Sequence, residues 1–168
     1  MAKYTKILPQ LSYNGVSITD ITHRLDMLKT VEKYATMYYS VTIDETATPE
    51  KVAEQYYGTS DYWWIVCAIN KVIDPFYDWV MRETEVYAYV NKIYDDQDEI
   101  HHWEDAEYLQ YAENSIEEDR VPVTNLEWEL HLNDEKRHIM LLKSTHVPKI
   151  VDEFSKWMRN TKQQVQEF

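Results

Sequence analysis

Glutamate and histidine stand three residues apart at two places in the chain, a spacing that helical di-iron proteins use to bind metal. The pairs are Glu99 with His102 and Glu135 with His138. A di-iron site requires its ligands to project inward from four helices. The first pair lies in a stretch that alternates like a strand, where residues three apart point to opposite faces. We therefore predict no metal site and interpret these side chains as surface acids and surface histidines.

An acidic run at residues 95–99 offers the oxygen ligands that calcium prefers. A calcium-binding loop also needs a glycine at its turn and a glutamate at its closing position, and this run has neither in place. We therefore predict that the run is a solvated acidic surface.

Signatures of covalent catalysis are absent from the sequence. Cys67 is the only cysteine, and its apolar flanks are typical of an inert, buried thiol. With only two glycines, Gly15 and Gly58, the chain has no phosphate-binding loop, and it contains no nucleophile elbow. We predict that the protein is not an enzyme and has no catalytic residue, no cofactor and no small-molecule substrate.

The N-terminal residues predict three elements. Turn-forming residues within 1–17 indicate an extended arm, in which Pro9 and the Asn-Gly pair act as breakers. Apolar residues at helical spacing over 18–31 predict a helix. Period-two alternation over 36–43 predicts a half-buried strand.

Two helices are expected next. Thr48 and Pro49 are typical of the first positions of a helix, and Gly58 is typical of the residue that ends one. Ser60 is expected to cap a second helix, which carries residues 62–70.

The middle of the chain is dominated by an acidic insert. A loop over residues 71–79 and a helix over 83–94 precede it. The insert, residues 95–119, contains no lysine or arginine. Within it, residues 100–103 and 108–111 are predicted to pair as a short hairpin.

The C-terminal part returns to regular structure. Thr124 and Glu127 have the spacing of a capping box, which predicts a helix towards residue 135. Residues 138–143 predict a strand, and Pro148 is expected to begin a final helix that carries an apolar stripe. Residues 160–168 form a polar tail. The predicted segments are 1–35, an arm and helix; 36–94, a core unit; 95–120, the acidic hairpin insert; and 121–168, a helix-strand-helix.

Composition excludes several kinds of partner. The net charge of -13 disfavours nucleic acids and anionic lipids, both of which bind lysine and arginine. The longest apolar run, residues 63–69, is far shorter than the roughly 20 residues that span a bilayer, so we predict no membrane partner. The lone thiol suits a reducing cytoplasm. Six tryptophans and fourteen tyrosines favour a chain that buries aromatic surface against other proteins.

The stretch from residue 39 to residue 79 resembles the LysM module, a small βααβ unit that often binds N-acetylglucosamine polymers. In that family a strand, a turn ending in threonine, an alanine followed by Tyr-Gly, and an asparagine before a proline recur in this order. The corresponding residues here are Thr46, Ala53, Tyr57, Gly58, Asn70 and Pro75.

With its flanks, the same stretch is similar to a narrower family, the LysM-containing small wedge subunits of contractile-tailed phage baseplates. The resemblance extends in consistent order over residues 18–160. The residues that carry it are Ile18 to Ile21, Tyr38, Tyr39, Pro49, Glu50, Val52, Ala53, Tyr57, Gly58, Tyr62 to Trp64, Asn70, Asp74 to Phe76, Trp79, Trp128, Glu129, Asn133 to Arg137, and Ile139 to Leu142.

The resemblance implies a structural protein of the virion, located in the phage tail baseplate and made in the cytoplasm of the bacterial host. Such subunits bind the other wedge proteins of the same phage and help to join neighbouring wedges. The implied fold is α+β, a LysM-like βααβ-type unit with an N-terminal arm and helix, an acidic hairpin insert and a C-terminal helix-strand-helix. The alternative is a LysM-type module that binds cell-wall polysaccharide. The residues expected at the partner interface are Tyr62, Trp63, Asp74, Pro75, Phe76, Tyr77 and Trp79.

Overall fold

The computed structural model describes Leu8 and residues 10–19, 37–105 and 119–165, with side chains described as far as residue 156. Within these residues the chain forms five α-helices, two short 3-10 helices and three two-stranded sheets, which confirms the predicted α+β class. Contacts divide the chain into two compact units. The first unit comprises residues 1–42, 47–75 and 139–168, and the second comprises residues 43–46 and 76–138. The division into four segments stays a prediction.

The first two strands form a hairpin that the sequence interpretation missed. Strand β1 (Gln10–Tyr13) pairs antiparallel with strand β2 (Val16–Thr19). Asn14 and Gly15 between them have φ values of 50° and 78°, which a two-residue hairpin turn of the primed type requires at both positions. Within the predicted arm, residues 10–17 therefore belong to a hairpin, whose pairing was not predicted. The predicted helix is wrong at its start, since Ile18 belongs to β2, and from residue 20 onwards it lies outside the described residues.

The predicted strands at residues 36–43 and 138–143 are both confirmed, and they pair with each other. They are β3 (Tyr38–Thr42) and the sixth strand, β6 (His138–Leu142). The Lys143 N–H donates to the carbonyl of Met37 over 2.8 Å, next to one end of the pair. This bond joins the residue before β3 to the residue after β6, so the two strands run antiparallel.

Helix α1 (Pro49–Tyr57) begins and ends where the sequence predicts. The Thr48 hydroxyl accepts a hydrogen bond from the Lys51 N–H over 3.3 Å, and Pro49 occupies the first helical position. Gly58 ends the helix with φ 74°, and its N–H donates to the Glu54 carbonyl over 2.9 Å. Local sequence is therefore sufficient to define both ends of this helix.

The second predicted helix is divided into a 3-10 turn, Ser60–Tyr62, and helix α2 (Trp63–Ile69). The capping residue is Thr59, whose hydroxyl accepts from the Asp61 N–H over 3.2 Å. The expectation that Ser60 is the cap is wrong by one residue, because Thr59 has the extended backbone that a cap requires and Ser60 is already in the turn.

The core of the first unit is formed by α2, β6 and the final helix, α5 (Val147–Val165). Trp64 is 1% exposed and its ring lies 5.1 Å from that of Phe154. Helix α5 begins one residue before Pro148 and extends into the segment predicted as a polar tail. Within the described part of the chain, no helix is long and apolar enough to cross a membrane. The buried residues of this core are Leu8, Trp64, Ile65, Leu142, Val147, Ile150 and Phe154.

The second unit contains the predicted helix α3 (Glu83–Ile93) and helix α4 (Asn125–Glu135). Its core consists of Met81, Val86 and Val90, and apolar side chains of α4 pack against it. Apolar side chains of α3 and α4 therefore pack together in this core.

Strand β4 (Ile100–Asp105) pairs antiparallel with strand β5 (Arg120–Thr124) in the second unit. The strand at residues 100–103 was predicted, but its described partner is β5, which the sequence interpretation missed because Pro122 interrupts it. Proline is compatible with a strand at the edge of a sheet. The predicted partner at residues 108–111 lies outside the described residues.

The predicted capping box at the start of α4 is confirmed. The Glu127 carboxylate accepts from the Thr124 N–H over 2.8 Å, and the Thr124 hydroxyl accepts from the Glu127 N–H over 3.2 Å. Each residue thus satisfies a backbone donor that the helix itself leaves unpaired.

Candidate partner-binding site

Four of the seven residues predicted at the partner interface belong to the first unit. Tyr62 and Trp63 are half-buried, and both pack against the core of that unit. The Tyr62 ring meets the Tyr57 ring edge-on, with centroids 6.1 Å apart. Asp74 and Pro75 are exposed. The two aromatic rings therefore stabilise their own unit and leave only part of their surface for a partner.

The other three predicted residues belong to the second unit and differ sharply in exposure. Phe76 is 81% exposed and Tyr77 is 45% exposed, whereas Trp79 is only 5% exposed. The Tyr77 ring packs against the Tyr89 ring, with centroids 5.7 Å apart. Phe76 and Tyr77 can offer aromatic area to a partner, and Trp79 offers almost none because it is buried within its own chain.

The loop that carries Phe76 and Tyr77 is held by Lys136, the residue that follows helix α4. Its Nζ donates to the backbone carbonyl of Tyr77 over 2.7 Å. Burial lowers the pKa of Lys136, and the nearby carboxylates of Glu129 and Asp78 act in the opposite direction. The ammonium group thus loses part of its contact with water and gains a carbonyl acceptor and two acidic neighbours.

Asn133 fixes the segment that follows the loop. Its Oδ1 accepts from the Met81 N–H over 2.8 Å, and its Nδ2 donates to the Met81 carbonyl over 2.9 Å. Asn133 is buried, so both backbone groups of Met81 would be left without a partner in the interior if this amide were removed. The sequence analysis did not assign this role to Asn133. Helix α4 contains a second buried asparagine, Asn125, and nothing in its local sequence singles out Asn133.

A histidine and tryptophan cluster lies between β4 and α4 in the second unit. His101 stacks on Trp128 with centroids 5.3 Å apart, and His102 meets the same ring edge-on at 5.0 Å. The Nδ1 atoms of the two histidines lie 2.8 Å apart, and His102 Nε2 lies 3.2 Å from the Glu104 carboxylate. Among the described residues, no group of three His, Cys, Asp or Glu side chains is arranged to hold a metal ion.

The interpretation of His102 as a surface residue is wrong, since its side chain is buried with 8% exposure. The register of β4 shifts between Ile100 and His102, and such an irregularity redirects the side chains that follow it. Glu99, Glu135 and His138 are exposed, as predicted.

Cys67 is buried, as the sequence predicted. Burial, with a smaller contribution from the charge of Glu50, raises the pKa of the Cys67 thiol to about 12. The thiolate is the reactive form of cysteine, so this environment suppresses nucleophilic chemistry.

An open cavity of about 320 Å³ lies in the second unit beside the start of α3. Glu45 accepts from the Glu83 N–H at that helix start over 3.2 Å. Arg137 donates to the Ile43 carbonyl over 2.9 Å and forms an ion pair with Asp134. These lining groups hold neighbouring segments together and thus have structural roles.

Comparison with known proteins gives a match at the level of the family. The family model described as Base plate wedge protein 53 matches residues 4–167, which is almost the whole chain. No curated protein matches the chain. The matched range includes most of both compact units and the loop that carries Phe76 and Tyr77.

Proposed function

Because the chain belongs to the family of base plate wedge protein 53 of phages, we propose that it is a non-catalytic structural subunit that binds other wedge proteins of its base plate and helps to join neighbouring wedges. Membership of this family makes the chain a base plate wedge subunit of a phage tail. The choice of partners, the joining of wedges and the absence of catalysis belong to the proposal.

The exposure of Phe76 on an anchored loop carries the proposal. The side chain is 81% exposed, which is unusual for a large aromatic residue. The loop is anchored by the burial of Trp79 and by the bond from Lys136 to the Tyr77 carbonyl. An aromatic group held in place loses little conformational entropy on binding, and such groups are frequent energetic centres of protein interfaces.

The test replaces Phe76 and measures assembly. Phe76→Ser is expected to weaken binding to the wedge protein that contacts this loop by roughly 30-fold or more, as is usual for the loss of a central aromatic. The matched control is Ile93→Ser, which removes another exposed apolar side chain of the same unit. Both variants are expected to melt at the wild-type temperature, because neither side chain is buried.

The readout is incorporation into wedges formed by coexpression with the products of the neighbouring genes, followed by size exclusion with light scattering. Loss of incorporation for Phe76→Ser but not for Ile93→Ser supports the proposal. Normal wedges from both variants would contradict the role of Phe76. Failure of the wild-type chain to enter any complex would contradict the structural function itself.

A second candidate, binding of cell-wall polysaccharide, has one structural feature in its favour. Strand β3 and helices α1 and α2 follow one another in the chain, and β6, which pairs with β3, comes after α3, β4, β5 and α4. The LysM-like unit was predicted within residues 36–94, so β6 would supply its second strand from outside that range, with the intervening elements as an insertion. Retention of the isolated chain on insoluble peptidoglycan at high salt would support this candidate, and free elution would exclude it.

A further inference from the structure

The β1–β2 hairpin has one apolar face and one polar face. Its pairs are Leu11 with Ile18 and Tyr13 with Val16, alternating with Gln10 opposite Thr19 and Ser12 opposite Ser17. Directly opposed residues share a face, and residues two apart on one strand share it too. Leu11, Tyr13, Val16 and Ile18 therefore lie together on one face. The other face is polar throughout.

Hydrogen bonds between side chains support this assignment of the polar face. Gln10 Nε2 donates to the Thr19 hydroxyl over 2.9 Å, and the Ser17 hydroxyl donates to Gln10 Oε1 over 3.4 Å. The polar face thus satisfies part of its hydrogen-bonding capacity within the hairpin.

The apolar face is exposed along its whole length. The exposed fractions are 39% for Leu11, 67% for Tyr13, 62% for Val16 and 44% for Ile18. A two-stranded hairpin is at best marginally stable in water unless its apolar face packs against something. Leu8, two residues before β1, is buried in the core of the first unit, which attaches the hairpin to a folded body.

The absence of charged residues from the hairpin indicates what covers this face. The segment from residue 10 to residue 19 contains no Asp, Glu, Lys or Arg, although the chain as a whole carries a net charge of -13. A complementary surface is therefore apolar and uncharged, because a charged group would lose its water there without gaining a partner. A second copy of the chain is disfavoured, since the two net charges repel each other.

We propose that the apolar face of the β1–β2 hairpin docks onto an apolar, uncharged surface of a different base plate wedge protein. This inference rests on the proposed function and adds a binding surface that the loop at Phe76 does not include. The contact is apolar, so it is expected to persist at high salt, whereas contacts between exposed charges weaken.

The two faces allow a matched test. Tyr13→Lys and Val16→Lys place a charge on the apolar face, and Ser12→Lys and Ser17→Lys place the same charge on the polar face of the same strands. Val16→Thr is a milder variant that keeps the β-branched shape and the strand propensity. All five full-length chains are coexpressed with the products of the neighbouring genes, and the affinity for the copurified wedge protein is then measured.

Lysine on the apolar face is expected to weaken binding by roughly 30-fold or more, Val16→Thr to weaken it less, and lysine on the polar face to change it by less than about threefold. Equal binding by the wild-type chain and all five variants would overturn the inference and leave the proposed function intact. No complex with the wild-type chain would overturn both.

Two further measurements would reveal that something other than a wedge protein covers the apolar face of the hairpin. A clear fall in melting temperature for Tyr13→Lys and Val16→Lys, but not for Ser12→Lys and Ser17→Lys, would mean that the chain covers this face itself and would overturn the inference. A wild-type dimer in light scattering that the apolar-face variants abolish would identify a second copy as the occupant and would also overturn it.

Discussion

The side-chain amide of Asn70 is hydrogen-bonded to both backbone groups of Met140, a residue far away in the sequence. Nδ2 donates to the Met140 carbonyl over 2.9 Å, and Oδ1 accepts from the Met140 N–H over 2.7 Å. The same Nδ2 donates to the Val66 carbonyl over 2.8 Å, within the helix that Asn70 ends. The amide thus pairs with β6 as a neighbouring strand would. Asn133 does the same for Met81 in the second unit.

Removing the Asn70 amide is expected to destabilise the protein. Asn70→Ala breaks the three hydrogen bonds to backbone groups, at about 0.5–1.5 kcal/mol each, so we expect a loss of roughly 2–4 kcal/mol in the free energy of unfolding. Asn70→Asp keeps an acceptor for the Met140 N–H, but it places a carboxylate oxygen against the Val66 and Met140 carbonyl oxygens, so its loss is expected to be at least as large. Denaturation in urea measures both.

The control for Asn70 is Asn91→Ala. Asn91 is an exposed residue within α3, and alanine has the higher helix propensity, so this exchange is expected to change stability by less than about 0.7 kcal/mol. Equal effects of Asn70→Ala and Asn91→Ala would show that the contact with Met140 adds no stability.

Gly58→Ala is expected to destabilise the protein by about 1 kcal/mol. The glycine has φ 74°, a left-handed conformation that costs an L-residue energy whether or not there is space for its side chain. A Cβ atom added there meets no atom within 4 Å, so backbone strain alone sets the cost. Gly58→Asn is expected to cost less, because asparagine tolerates this region. Melting temperatures of the two variants test this order, and a more stable alanine variant would contradict it.

The capping box of α4 makes part of the stability depend on pH. The hydrogen bond from the Thr124 N–H, and then the one from the Thr124 hydroxyl, hold the pKa of Glu127 below its ordinary value. The stabilisation is therefore fully present above the pKa of an unfolded glutamate, roughly 4.3, and is lost as the pH falls through the lower folded value. Glu127→Gln is expected to reduce this acid dependence.

Thr124→Ala tests the other half of the capping box. It is expected to lower the free energy of unfolding by about 1 kcal/mol at neutral pH, because the Glu127 N–H loses its acceptor. Thr124→Ser is the matched control, since it keeps the hydroxyl group and is expected to retain most of the stability. Equal losses for the alanine and serine variants would mean that the hydroxyl group makes no contribution.

Cys67 is expected to resist thiol reagents in the folded protein. Burial raises the pKa of its thiol to about 12, so at neutral pH the thiolate is scarce and out of reach. Absorbance with a chromogenic disulfide reagent is expected to show no reaction in buffer and complete reaction in urea. Rapid labelling of the folded chain would contradict the buried environment.

Local signals in the sequence account for the elements that were predicted correctly. Thr48, Pro49 and Gly58 determine the ends of α1, and Thr124 with Glu127 determines the start of α4, because caps involve residues within one helical turn. The Asn14-Gly15 turn was also a local signal, flanked by alternating apolar residues. It was missed because the pair was interpreted only as a breaker, although this flanking pattern is the strongest short-range indication of a hairpin.

The sequence by itself therefore determined both ends of α1, the start of α4, most helices and strands, and the resemblance to the wedge family. Only the tertiary structure decided that β6 pairs with β3, that Asn70 binds Met140, and that Trp79 and His102 are buried while Phe76 is exposed. The physical reason is separation along the chain. A cap depends on neighbours within a few residues. Strand pairing and burial depend on which distant segments pack around a core, and local propensity does not encode this.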